Sequence, residues 1–290
     1  MDNKILELIK YGDAALKEAG IEKGKLEAEM LLCHVVNKTR IQLYIDLSGF
    51  IAQEKIDQYK SLIKERMRRK PMQYILGTAA FYGLEFMVNE SVLIPRPETE
   101  TLVELALEHI NNRFERMLSV LDIGTGSGNI AVSIAKNSNI VEVFAMDNNE
   151  KSLEVAKHNA EENGVKGKIQ FMNRSIYDDY EELKTTIDGY IDVIVSNPPY
   201  IADDQVEKLM PEISQYEPHY ALAAGADGLE FIKKIILVAN GLLKYNGVLI
   251  VEIGDDQKRD VEAFASRYFS IEFADDLNGV PRFLIAEKRG

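Results

Sequence analysis

Residues 121–135 read LDIGTGSGNIAVSIA. An apolar run ends in glycines at alternate positions, Gly124, Gly126 and Gly128, and a helix-like periodic segment follows. Glycine permits a tight turn and lets a ligand approach the backbone closely. A helix starting after such a loop offers its first amides to an anion. The next apolar run, VEVFAMD, ends at Asp147, about twenty residues on, where an acid in this kind of fold accepts hydrogen bonds from ribose hydroxyls. Strand, loop, helix, strand and acid in register predict a nucleoside-containing cofactor at the carboxyl ends of parallel strands.

The pattern continues in both directions. Strand-like segments MLSVLDIG, VEVFAMD, KIQFMN, YIDVIVSN and GVLIVEIG alternate with helix-like ones, and FSIEFAD and PRFLIAEK close the chain with only a loop between them. Alternation of this kind predicts a mostly parallel, doubly wound α/β sheet. The last two strands are expected to pair antiparallel at one edge. Residues 1–78 show helical spacing instead and predict a small domain of four or five helices. Residues 79–94 change period and read as a β-hairpin linker, turning at Asn89-Glu90-Ser91. Residues 95–290 are then the cofactor-binding domain.

Glycine spacing bears on the cofactor. A nicotinamide dinucleotide usually comes with Gly-x-Gly-x-x-Gly, and here the third glycine falls one position early. The spacing fits S-adenosylmethionine better, since that molecule has no pyrophosphate to cradle.

A second motif lies at 194–202, IVSNPPYIA. The residue before a proline is held extended, and each proline locks φ and lacks an N–H. Asn197 is therefore fixed in direction on a stiff loop. Its side-chain oxygen and the Pro198 carbonyl can accept both hydrogens of a substrate –NH2, and Tyr200 offers a planar face. Such a site suits methyl transfer to a planar nitrogen through orientation and preorganised acceptors.

Bulk properties narrow the partners. The 290 residues carry a net charge of −13, against the basic footprint expected of a protein that grips duplex DNA. One cysteine, Cys33, excludes an internal disulfide and suits a reducing compartment. Four scattered histidines show no metal-ligand spacing, so no metal is expected. No uncharged apolar run reaches the ~20 residues of a membrane helix, and MDNKILELIK does not read as a signal peptide. A cytoplasmic monomer is expected. Residues 60–70, KSLIKERMRRK, hold six basic residues and one acidic, either a solvated helix face or a patch for an anionic partner such as RNA.

FYGLEFMVNESVLIPRPETE, LDIGTGSGNIAVSIA and VSNPPYI, with the helical domain before them, resemble the HemK/PrmC family of protein-(glutamine-N5) methyltransferases. The resemblance covers essentially the whole chain. It implies a Rossmann-like class I S-adenosylmethionine-dependent methyltransferase fold with a seven-stranded sheet whose last strand is antiparallel. It also implies transfer to the glutamine of the Gly-Gly-Gln motif in peptide chain release factors 1 and 2. By that resemblance Gly124, Thr125, Gly126, Ser127 and Gly128 cradle the methionine part of the cofactor and Asp147 binds its ribose. Ser175 and Ile176 lie near the adenine, and Asn197 borders the methyl. Asn197 and Pro198 hold the glutamine amide, with Pro199 and Tyr200 beside it. Arg96, Glu98 and Thr99 border the cofactor pocket, and the helical domain and hairpin help to dock the release factor. Ser175 stands where the family usually has an acid. The Asn-Pro-Pro-Tyr motif alone also occurs in adenine-N6 methyltransferases, which leaves a nucleic-acid amino methyltransferase as the second reading.

Overall fold

The computed structural model describes residues 4–112, 117–187 and 190–289. Residues 1–3, the start of the segment read as lacking a signal peptide, lie outside them. The chain divides into two compact units, residues 1–77 with 210–216, and residues 78–209 with 217–290.

Five helices open the first unit: α1 (Ile5–Glu18), α2 (Gly24–Val36), α3 (Arg40–Ile45), α4 (Gln53–Met67) and α5 (Met72–Leu76). In α1 the buried residues Ile5, Leu8, Ile9, Gly12 and Leu16 repeat at helical spacing and form one stripe. Gly12 leaves room for Tyr59 of α4, whose hydroxyl donates to the Leu8 carbonyl at 3.1 Å. Thr39 and Gln42 cap α3 reciprocally.

Two arginines of the basic stretch 60–70 serve this unit from within. Arg66 is buried and donates to Glu27 at 2.6 Å and to Glu212 at 3.0 Å, and Arg69 donates to Glu212 at 2.7 Å. The Arg68 carbonyl accepts from Tyr216 at 2.7 Å. Arg66 is thus neither part of a solvated face nor available to an outside anion. Its partner Glu212 arrives from a segment far along the chain that no local pattern marks.

The second unit begins with β1 (Thr78–Phe81) and β2 (Leu84–Met87), an antiparallel hairpin. Its turn is Tyr82-Gly83, both at positive φ, the geometry that two-residue hairpin turns require. This corrects the expected turn at Asn89-Glu90-Ser91, where the Asn89 side chain instead accepts from the Ser91 N–H at 2.9 Å after the strand has ended. Phe81 and Phe86 sit edge to face at 6.0 Å, buried in the core cluster of helix α6 (Glu100–Asn111). The hairpin, read from sequence as a linker, packs as part of this unit.

Beyond α6 the chain alternates: β3 (Leu118–Ile123), α7 (Asn129–Asn137), β4 (Val141–Asp147), α8 (Glu150–Glu162), β5 (Ile169–Asn173), α9 (Tyr180–Thr186) and β6 (Ile191–Ser196). The four-residue helices α10 (Asp203–Val206) and α11 (Pro211–Ser214) precede α12 (Glu230–Leu242), β7 (Leu243–Glu252), α13 (Lys258–Ala265), β8 (Phe269–Asp275) and β9 (Pro281–Lys288). The seven-stranded sheet has the order β5-β4-β3-β6-β7-β9-β8, parallel except for β9, which runs antiparallel to both neighbours. Every residue of β6 is buried, as expected of a central parallel strand covered on both faces.

Strand order reverses at β3. The chain moves outward to β4 and β5 on one side, then returns to place β6 on the other. Val120 pairs with Val193 and Asp122 with Val195, so β3 and β6 end together. Their loops open side by side, at the place where doubly wound sheets bind ligands.

Candidate functional site

The three loop glycines have φ of 73°, 54° and 79°, a region closed to most residues, so the loop depends on glycine. They do different work. A Cβ at Gly124 would meet nothing within 4 Å, so its backbone forms a bare wall of the cleft. A Cβ at Gly128 would lie 3.0 Å from the Ala156 Cβ, so this glycine lets the loop pack against α8. Gly128 is accordingly absent from the cleft lining, while Gly124, Thr125, Gly126 and Ser127 are in it.

Two acids shape the loop from below. Asp122 is fully buried, and its Oδ2 accepts from Thr125 Oγ1 at 2.7 Å and from the Ala131 N–H at 3.2 Å. Burial pushes its carboxyl up to about 7, against those two hydrogen bonds, and the nearby Asp147 charge adds to the rise. Sequence reasoning overlooked Asp122, although an acid just before such a glycine loop is a visible signal. Asp147 lies at the cleft as expected. It accepts from the Gly126 N–H at 3.0 Å and the Asn149 N–H at 2.9 Å, and burial raises its carboxyl.

The cleft spans about 1070 Å³, counted out to open solvent, and brings together most residues singled out from sequence. Asp147, Ser175, Ile176, Asn197, Pro198 and Pro199 line it, as do Arg96 and Thr99. Phe231 and Ile235 of α12 supply an apolar wall that the sequence did not announce. Tyr220, also unforeseen, closes one side, donating to the Ser91 carbonyl at 2.5 Å and accepting from Asn149 Nδ2. The Ser175 N–H donates to Asp178 Oδ2 at 2.9 Å. Asp178 is spent on that turn and does not face the cleft.

Asn197 follows β6, and Ser196 Oγ ties the strand end to the Ile123 carbonyl at 2.7 Å. Asn197 Nδ2 donates to Thr99 Oγ1 at 2.9 Å, Thr99 donates to Glu252 Oε2 at 2.7 Å, and the Tyr200 hydroxyl donates to Glu252 Oε1 at 3.2 Å. Glu252, at the end of β7, is buried, which raises its carboxyl, while the Thr99 and Tyr200 bonds and Arg282 oppose the rise. Thr99 stands at the N-cap position of α6 but makes no side-chain cap hydrogen bond there. Tyr200 does not line the cleft. Its hydroxyl reaches Glu252 and its carbonyl accepts from Gln257 Nε2 at 2.9 Å, so it anchors the loop from behind. Arg96 Nη2 donates to both oxygens of the buried Glu217 at 2.7 Å.

The residues fit S-adenosylmethionine by their own chemistry. A bare glycine backbone, a strand-end carboxylate and an apolar wall suit, respectively, an amino-acid portion, a ribose and an adenine.

A model of the PrmC N-terminal domain matches residues 7–77, and a model of the methyltransferase small domain matches residues 99–255. The release factor glutamine methyltransferase of Thermodesulfovibrio yellowstonii is 39% identical over 90% of this chain and 92% of its own. That of Chlorobaculum tepidum is 36% identical over 97% of this chain and 96% of its own. Among solved structures, the hMettl16 catalytic domain in complex with the MAT2A 3′UTR hairpin 6 matches with a TM-score of 0.56. It is 18% identical and covers 71% of this chain and 76% of that one, a likeness of fold alone. Among the described residues no helix is long and apolar enough to cross a membrane.

Proposed function

Because the chain belongs to the release factor glutamine methyltransferase family, we propose that it methylates the side-chain amide nitrogen (N5) of the glutamine in the Gly-Gly-Gln motif of peptide chain release factors 1 and 2. The observation that carries this reading is the shared cleft. The glycine loop after β3 and the Asn-Pro-Pro loop after β6 end side by side and line one pocket.

S-adenosylmethionine, when bound, supplies an electrophilic methyl group on a sulfonium. Gly124, Gly126 and Asp147, with Ser175 and Ile176, would hold it. The chain's own contribution is to position the acceptor. Asn197 Oδ1 and the Pro198 carbonyl accept the two N–H bonds of the amide, which turns its nitrogen lone pair toward the methyl. As positive charge develops on that nitrogen, the same two acceptors stabilise it without reorganising, and the nitrogen releases one of its two protons to solvent once the methyl has transferred. The prolines keep the acceptors in place, and Tyr200 holds the loop to Glu252. We further read the first unit and the hairpin as helping to dock the release factor, and the enzyme as a cytoplasmic monomer.

The test is one assay with three acceptors: purified release factor, free glutamine and DNA, each offered labelled S-adenosylmethionine. Label on the release factor glutamine is the expected result. Label on DNA instead would overturn the reading in favour of an amino methyltransferase of nucleic acid.

A further inference from the structure

A side-chain amide can show a substrate either of two opposite faces. Asn197 could turn its carbonyl oxygen or its amino group toward the cleft, with nearly the same shape. Only the oxygen is useful to an –NH2 acceptor, because the amino group would set donors against donors. The stiff Asn-Pro-Pro backbone does not make this choice, since rotation about the last side-chain bond leaves the backbone unchanged.

The choice is made on the far side of Asn197. Thr99 Oγ1 lies 2.9 Å from Asn197 Nδ2 and 2.7 Å from Glu252 Oε2. Thr99 and Glu252 are 1% and 2% exposed, so water does not compete for these bonds. A hydroxyl has one proton to give, and a carboxylate only accepts. Both Glu252 oxygens accept, one from Thr99 and one from Tyr200, so the Thr99 proton goes to Glu252 and the oxygen left facing Asn197 has only lone pairs. Nδ2 can meet a lone pair and Oδ1 cannot. Resting on the reading above that the acceptor is an –NH2 group, we propose that Thr99 and Glu252 are positioning residues that set the amide orientation of Asn197.

Glu252 also accepts from Tyr200, three residues further along the same loop. One buried carboxylate thus orders the loop at both ends, directly at Tyr200 and through Thr99 at Asn197. A turned Asn197 would cost the relay its donor and leave two oxygens facing each other in a buried place, a penalty of the kind that buried polar groups avoid.

The experiment compares Thr99→Val, which keeps the shape and removes the hydroxyl, with Thr99→Ser, which restores it. Thr99→Val is expected to lower kcat roughly 100-fold while KM for release factor and the Kd for S-adenosylmethionine stay within about twofold. Thr99→Ser should recover most of the lost kcat. Thr99→Val at wild-type kcat, an equal loss in Thr99→Ser, or a loss confined to KM would overturn the proposal. A second readout needs no turnover. The Asn197 side-chain amide protons should exchange slowly with solvent in the wild type and fast in Thr99→Val. Fast exchange in the wild type would overturn it as well. If the three-acceptor assay moves the substrate to DNA, the same series is run on the adenine amino group, so the relay and the substrate assignment fail separately.

Discussion

The carboxylate of Asp147 accepts a hydrogen bond from the backbone N–H of Gly126 at 3.0 Å. The acid that ends β4 therefore holds the loop that ends β3, and these two walls of the cleft form together. Asp147→Ala should weaken S-adenosylmethionine binding by about 1–3 kcal/mol, the scale of lost hydrogen bonds to a charged group. Calorimetry reads this directly, and unchanged affinity would remove Asp147 from the site.

Asn197 lines the cleft, and the proposed function has it hold the acceptor amide. Asn197→Ala should lower methyl transfer at least about 100-fold, the effect of deleting one preorganised polar group that faces the reacting centre. S-adenosylmethionine affinity and Tm should stay near the wild type. Retained turnover would sink the role assigned to this side chain.

Gly128 occupies a different niche from its two companions. An alanine there adds the cost of a left-handed backbone, about 1–2 kcal/mol, to a contact of 3.0 Å with Ala156. Gly128→Ala should lower stability by at least that amount in denaturant titration. Wild-type stability would mean that the loop and α8 part easily.

Asp122 makes stability depend on pH. Its folded carboxyl titrates at about 7 against an ordinary value of 3.8, so the folded state holds a proton that the unfolded chain releases. Its contribution is full below pH 3.8 and is lost as pH rises through about 7. Asp147, Glu217 and Glu252 are also raised and slope the same way, so the difference between wild type and Asp122→Asn isolates Asp122. The variant's stability should fall less between pH 4 and 7. Identical pH profiles would show that Asp122 does not carry this dependence.

Some of the site could be read along the chain. Gly124 and Gly126 are there because the backbone takes positive φ, and the proline after Asn197 restricts that residue's backbone. These are constraints between neighbours, and they show in a short stretch of letters. The alternation of strands and helices likewise foretold the mostly parallel sheet, and the bare loop between the last two strands their antiparallel pairing. The hairpin was seen but its turn was misplaced, because Asn-Glu-Ser resembles a turn more than Tyr-Gly does. Tyr82 tolerates its positive φ only inside the folded hairpin.

Other contacts join residues far apart in sequence. Thr99 meets Glu252 across 153 positions and Asn197 across 98, Arg96 meets Glu217 across 121, and Arg66 meets Glu212 across 146. None of these pairs has a spacing to read. The kind of chemistry at the loops follows from local backbone rules written into glycine and proline. Which acid is buried, which hydroxyl it takes, and so which face Asn197 offers a substrate, follow from the strand order that brings β7 beside β6 and both beneath one cleft. A buried charge is stable only beside the donors the fold brings to it, and that pairing exists only once the sheet has formed.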